Sequence, residues 1–163
     1  MMISVIGSSN QLSQTTLDQA EAVGRELALR GAIIICDGLY GVSAAVCRGA
    51  KSEAGVTIGV LPGNDPVMAN PWIDIPICTG IGYACNLIVI KSGQAVIAID
   101  GEFNTLSEIG SALAHGKAVI GLNTWSFQKK GQRHDSIILA QTPNEAVNRA
   151  IEVINRQMAA EFP

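Results

Sequence analysis

The stretch Ile97-Ala98-Ile99-Asp100-Gly101-Glu102-Phe103-Asn104-Thr105-Leu106-Ser107-Glu108 is an apolar strand running into a tight turn and then a helix. The free N–H groups at a helix N-terminus, with the positive end of its dipole, cradle phosphate. Thr105 offers a hydroxyl to a phosphate oxygen. Asp100 and Glu102 oppose that use, because two carboxylates in the turn repel a dianion unless they point away or are neutralised. A structural account stands beside the functional one: Thr105-x-x-Glu108 has the spacing of a capping box, with Thr105 as the cap.

Three further loops carry residues suited to a ligand. In Gly7-Ser8-Ser9-Asn10 the glycine permits a tight turn, and two hydroxyls can bond a ligand or cap the next helix. Cys36-Asp37-Gly38-Leu39-Tyr40-Gly41 has glycines that allow close backbone approach, without the full spacing of a dinucleotide fingerprint. Thr79-Gly80-Ile81-Gly82-Tyr83-Ala84-Cys85-Asn86 sets two glycines and a threonine before a helix, which suits an anion or close backbone packing equally. The four cysteines, Cys36, Cys47, Cys78 and Cys85, form no CxxC pair and have no close histidine. They read as reduced, mostly buried thiols, and no metal site is assigned. His115 and His134 have no nucleophile at a recognisable spacing. His115-Gly116-Lys117 reads as the end of a helix, where a cation meets the negative end of the dipole.

The elements that must position these loops alternate along the chain. Apolar runs at Ile3–Ile6, Ala32–Cys36, Val56–Leu61, Ile75–Cys78, Ala95–Ile99, Ala118–Leu122 and Ile137–Leu139 read as strands. Helices are expected over Gln14–Arg30, from about Gly41 to Ala54, and from near Gly82, Thr105 and Pro143. Leu17, Ala20, Val23, Gly24 and Leu27 share one face of the first helix, and Gly31 stops it. Thr142 caps the last, with Pro143 at its first position. The expected fold is α/β: a Rossmann-like, doubly wound, mostly parallel sheet of about seven strands with helices on both faces, forming a single domain over residues 1–163. Ligands of such sheets bind beyond the carboxyl ends of the strands, where strand order reverses. Asn64–Pro71 and Thr124–Ser136 are polar loops that can border a pocket, the second long enough to be mobile.

Composition narrows the function classes. With 48% hydrophobic and 15% charged residues, the chain carries more apolar surface than a small monomer hides, so a homo-oligomer, a dimer or tetramer, is expected. No apolar run reaches the roughly 18 residues that span a bilayer, and the N-terminus does not read as a signal segment, so the expectation is a cytoplasmic protein with no membrane partner. A net charge of −3 argues against nucleic acid and favours a small-molecule ligand.

Taken together the motifs resemble the LONELY GUY phosphoribohydrolase superfamily, long labelled lysine-decarboxylase-like, and within it the branch of the molybdenum-cofactor carrier proteins. The similarity runs from Ile3-Ser4-Val5-Ile6-Gly7-Ser8-Ser9 through Gly24-Arg25-Glu26-Leu27-Ala28 and Arg48-Gly49-Ala50 to Gly116-Lys117-Ala118-Val119-Ile120-Gly121-Leu122. The family's PGGxGTxxE signature aligns with Asp100–Glu108 and keeps Gly101, Thr105 and Glu108. Asp100, Glu102 and Asn104 replace its Pro and two Gly, and Asn104 still tolerates a left-handed backbone. Cys36-Asp37-Gly38 stands where the family has a glycine turn. Ala84-Cys85-Asn86 stands where it has an arginine, and a thiol lacks the bidentate grip of a guanidinium.

The resemblance implies two principal readings. The first is a carrier or sensor for a phosphorylated nucleotide-like or pterin ligand such as molybdenum cofactor, needing no cofactor of its own. Gly7, Ser8, Ser9, Gly38, Gly80, Gly82, Gly101, Asn104 and Thr105 would line its pocket, with Cys85 near the ligand. The second is a nucleoside 5′-monophosphate phosphoribohydrolase, with Glu108 as the catalytic residue assisting water attack or stabilising an oxocarbenium-like centre. A regulatory or structural oligomer with a decayed pocket is a third. A distant likeness to DNA-processing protein A raises single-stranded DNA, which the acidic balance disfavours.

Overall fold

The computed structural model describes residues 1–10 and 12–161; residues 11, 162 and 163 of the expected 1–163 domain lie outside the described residues. In chain order the strands are β1 (Met2–Gly7), β2 (Ile33–Cys36), β3 (Thr57–Leu61), β4 (Ile75–Cys78), β5 (Ala95–Ile99), β6 (Val119–Leu122), β7 (Phe127–Lys129), β8 (Gln132–His134) and β9 (Ile137–Ala140). The helices are α1 (Gln14–Leu29), α2 (Val42–Ser52), α3 (Cys85–Ser92), α4 (Phe103–Ala114) and α5 (Pro143–Glu161). Seven strands form one parallel sheet in the order β4-β3-β2-β1-β5-β6-β9. The chain winds outward from β1 to β4, then returns to the other side of β1 at β5. That reversal leaves a crevice at the carboxyl ends of β1 and β5.

Alternation along the strands fills two cores. Ile3 and Val5 of β1 and Ala95, Ile97 and Ile99 of β5 pack against α1, α2 and α5. Ile6, Val96 and Ala98 face the other way, onto Val89 and Ile90 of α3 and Ile109 and Ala112 of α4. β5 is buried on both faces, as a central parallel strand must be. Helices α1 and α2 approach through small residues. A Cβ on Gly24 would lie 1.9 Å from the Val46 carbonyl oxygen, and one on Gly49 the same distance from that of Glu21. At the start of α5 the Thr142 hydroxyl accepts from the Glu145 N–H at 3.2 Å, while the Glu145 carboxylate takes the Gln141 N–H at 2.8 Å. Thr142 caps the helix as expected, and Glu145 adds a bond to the N–H of the residue before the cap.

Three expectations change. Helix α4 begins at Phe103, with Glu102 as a cap that makes no side-chain hydrogen bond. Thr105 is therefore the helix's third residue, buried inside it, and the capping box does not form. The cause is tertiary: Thr124 donates to the Asp100 carbonyl at 2.5 Å, the Trp125 indole donates to that of Gly101 at 3.0 Å, and the Trp125 and Phe103 rings pack at 5.7 Å. These contacts end the turn two residues early. The stretch Thr124–Ser136 holds the antiparallel β7–β8 hairpin rather than a structureless loop. Its turn, Lys130-Gly131, has positive φ at both residues, as two-residue hairpins require. Helix α3 starts at Cys85, preceded by a 3-10 turn over Gly82–Ala84, three residues later than expected. No helix among the described residues is long and apolar enough to cross a membrane.

Candidate functional site

A cavity of about 460 Å³ opens at the carboxyl ends of β1 and β2, between α3 and α4. Its walls come from four loops. Gly7, Ser8, Ser9 and Asn10 follow β1; Asp37 and Leu39 follow β2; Cys85 and Asn86 begin α3; Glu102, Asn104, Thr105 and Glu108 belong to the cap and first turns of α4. Close packing brings these loops together. A Cβ on Gly7 would sit 2.7 Å from the Ile99 carbonyl oxygen, so only glycine lets β1 leave the sheet beside β5. Asn70, buried beneath the second loop, donates to the carbonyls of Gly38 at 3.1 Å and Leu39 at 2.7 Å, holding the backbone that carries Asp37.

The two acids of the α4 turn take different places. Asp100 adopts φ +53° and turns its carboxylate toward α1, accepting from the Thr16 hydroxyl at 2.9 Å and the Gly101 N–H at 2.8 Å. It does not line the cavity. Gly101 follows at φ +107°, with the space beside its Cα filled by Thr105. Glu102 remains on the exposed rim of the cavity.

Deeper in, the wall is acidic. Glu108 accepts a hydrogen bond from the Asn86 side-chain amide. Burial, reinforced by the negative charge of Asp37, pushes its carboxyl from the ordinary 4.5 up to about 7. Burial also raises Asp37, outweighing the Ser43 hydroxyl and the Leu39 N–H, 2.9 Å away, that favour its ionised form. The Cys85 thiol is raised by burial and by the nearby Asp37, so it is a poor source of thiolate. Thr105 is 1% exposed and lines the cavity. Of the described residues lining the cavity, three are carboxylates and none is Lys, Arg or His. Those carboxylates do not group closely enough with other donors among the described residues to hold a metal ion.

Of the residues singled out in the sequence, Gly7, Ser8, Ser9, Cys85, Asn104, Thr105 and Glu108 lie together on the cavity wall. Gly38, Gly80, Gly82 and Gly101 lie behind it, shaping the loops: Gly38 packs against Gly59, and Gly80 against Asn64. Asp37 and Asn86 are two polar residues of the inner wall outside the set that the sequence singles out. Their signal was positional, since both sit in the triplets that depart from the family pattern. Among the described residues, none of Asn64–Pro71 or Thr124–Ser136 lines the cavity; each segment braces a loop beside it. Cys36, Cys47 and Cys85 are buried, Cys78 is exposed, and all four are free thiols.

Comparison with known proteins places this geometry. The model of the SLOG cluster4 family matches residues 1–147. An uncharacterized protein of Archaeoglobus fulgidus is 37% identical over 151 residues, covering 93% of this chain and 95% of its own. The molybdenum cofactor binding protein from the phototrophic bacterium Rippkaea orientalis superposes with a TM-score of 0.83 at 30% identity, over 94% of this chain and 96% of that one. The molybdenum cofactor carrier protein of Chlamydomonas reinhardtii superposes at 0.81 with 26% identity, over 94% and 98%. The chain belongs to the SLOG cluster4 family, on the branch of the superfamily that holds the molybdenum-cofactor carrier proteins.

Proposed function

We propose that this protein is a carrier or sensor for a phosphorylated nucleotide-like or pterin ligand, such as molybdenum cofactor, and that it lacks efficient catalysis. The observation that carries the reading is an open cavity at the strand-order reversal, walled by hydroxyls, amides and three carboxylates, with a buried neutral thiol where phosphoribohydrolases have arginine. Its volume lies within the roughly 300–1,000 Å³ of small-molecule sites. Ser8, Ser9, Asn104 and Thr105 supply neutral donors. Among the described residues of the wall no cationic side chain stabilises charge developing on a leaving group or a transferring phosphate. The two solved carrier and binding proteins described above lend the ligand class. Molybdenum cofactor is cargo in this reading, not a resident cofactor.

The test is a melting-temperature panel of molybdenum cofactor, pterins and nucleoside monophosphates. A ligand present at about 100 times its Kd adds about 2.7 kcal/mol, a rise of several degrees for a chain of this size. No shift across the panel overturns the reading. One observation favours the hydrolase as a second reading: a Glu108 carboxyl near neutrality both gives and takes protons at working pH. Release of free base from AMP that Glu108→Gln abolishes would establish it. Self-association as a dimer or tetramer belongs to the same proposal, supported by exposed Ile75 and Ile77 on the edge strand β4 and exposed Leu87 and Ile88 on α3. A monomer in light scattering rejects that part.

A further inference from the structure

Nucleotides and pterins have two chemically opposite ends, an anionic phosphate and a flat heterocycle rich in N–H donors. The cavity is also two-sided. Its rim, at Ser9, Asn10, Asn104 and Glu102, is exposed and presents three neutral polar groups and one carboxylate that open water screens. Its inner wall, at Asp37, Cys85, Asn86, Thr105 and Glu108, is buried or half-buried and carries two carboxylates. A phosphate on the inner wall would meet like charge with no described cationic side chain to offset it. A heterocycle edge with adjacent N–H groups would instead satisfy those carboxylates, which burial has stripped of water.

We infer that the inner wall recognises a 2-amino-4-oxopyrimidine ring, the edge shared by pterins and guanine, through paired N–H donation to Glu108, with the phosphate directed to the rim. The ring N–H and the exocyclic amine are parallel neighbours and match the two oxygens of one carboxylate. Asn86 orients that carboxylate by donating to one of its oxygens. The Thr105 hydroxyl lies on the same wall and adds a neutral polar group beside it. Asp37, close enough for its charge to act on Glu108, favours an N–H donor over an acceptor at this end. The inference rests on the cavity being the cofactor site proposed above and adds which end of the ligand enters first.

The experiment is calorimetric titration of the full chain with GMP, IMP, pterin, ribose 5-phosphate and agmatine. IMP differs from GMP by the loss of the 2-amino group alone. GMP and pterin are expected to bind at least about tenfold tighter than IMP, the modest end of what a lost buried hydrogen bond costs. In Glu108→Gln the GMP preference should fall below about twofold, since an amide accepts only one of the two N–H bonds. Thr105→Val should weaken GMP and pterin more than it weakens ribose 5-phosphate. Equal affinity for GMP and IMP in the unaltered protein, or ribose 5-phosphate binding as tightly as GMP, overturns the inference and leaves the carrier reading standing. Agmatine binding ahead of GMP overturns it in favour of a cationic ligand. Binding of none of the phosphorylated or pterin probes overturns both. The GMP–IMP comparison uses no variant, so it decides even if Glu108→Gln does not fold.

Discussion

Glu108→Gln isolates the electrostatic cost stored in the cavity wall. Glutamine is nearly isosteric, and its amide oxygen still accepts from Asn86, so the variant removes the titration and little else. The folded-state pKa of about 7 lies above the ordinary 4.5, because burial first and Asp37 second disfavour the carboxylate. Between those values the folded protein binds a proton that the unfolded chain has released. The stability contributed by the neutral carboxyl is therefore fully present below pH 4.5 and is lost as pH rises through 7. At about 1.4 kcal/mol per pH unit the span corresponds to about 3 kcal/mol. Urea unfolding of both proteins at pH 5, 6, 7 and 8 measures it as the difference between the two curves. The unaltered protein should lose ground to Glu108→Gln steadily across that range and level off above pH 8. A difference that stays constant within about 0.5 kcal/mol, or that grows in favour of the carboxylate, refutes the placement of Glu108 in a desolvated acidic wall. Asp37→Asn should shorten the span, since its charge is the second cause.

Two other perturbations probe different links. Gly24→Ala places a methyl group 1.9 Å from the Val46 carbonyl oxygen, so α1 and α2 must separate; a loss of about 3 kcal/mol in urea unfolding is expected, and a neutral result would overturn the close helix contact. Cys85→Arg sets a guanidinium beside Asp37 and Glu108, where a unit charge pair at about 6 Å and an effective dielectric of about 20 is worth about 3 kcal/mol. It should bring the Glu108 carboxyl back toward 4.5 and tighten AMP binding about tenfold or more, read by NMR titration and calorimetry; a folded variant with unchanged AMP affinity would show that the thiol is not what excludes phosphate.

The sheet was legible because buried parallel strands are short continuous apolar runs between turn residues. Val96 and Ala98 have no solvent side to alternate with, and β5 could be read directly from its composition. The β7–β8 hairpin carried no such mark. Its strands are three residues each, and only the Lys130-Gly131 turn betrays it. The candidate site was half legible. Hydroxyl and glycine loops at strand ends predicted where a cavity forms, and Ser8, Ser9, Thr105 and Glu108 meet there from loops about 100 residues apart. Asp37 and Asn86 were not legible as wall residues, because nothing local distinguishes a carboxylate or amide that faces a cavity from one that faces water.

By itself, the sequence determined the α/β alternation, the helix stops and caps governed by neighbouring residues, and the family pattern with its acidified turn and missing arginine. Those features depend on periodicity and on contacts within a few residues. The direction of each acid was decided only in the folded chain. Asp100 turns away because Thr16, on α1, offers it a hydroxyl, and α4 starts at Phe103 because Thr124 and Trp125 tie the carbonyls of Asp100 and Gly101. Glu108 became a group that titrates near neutrality because the fold buried it beside Asp37, a residue 71 positions earlier (108 − 37 = 71). Charge in a cavity depends on distance and on excluded water, and both are set when separate loops converge.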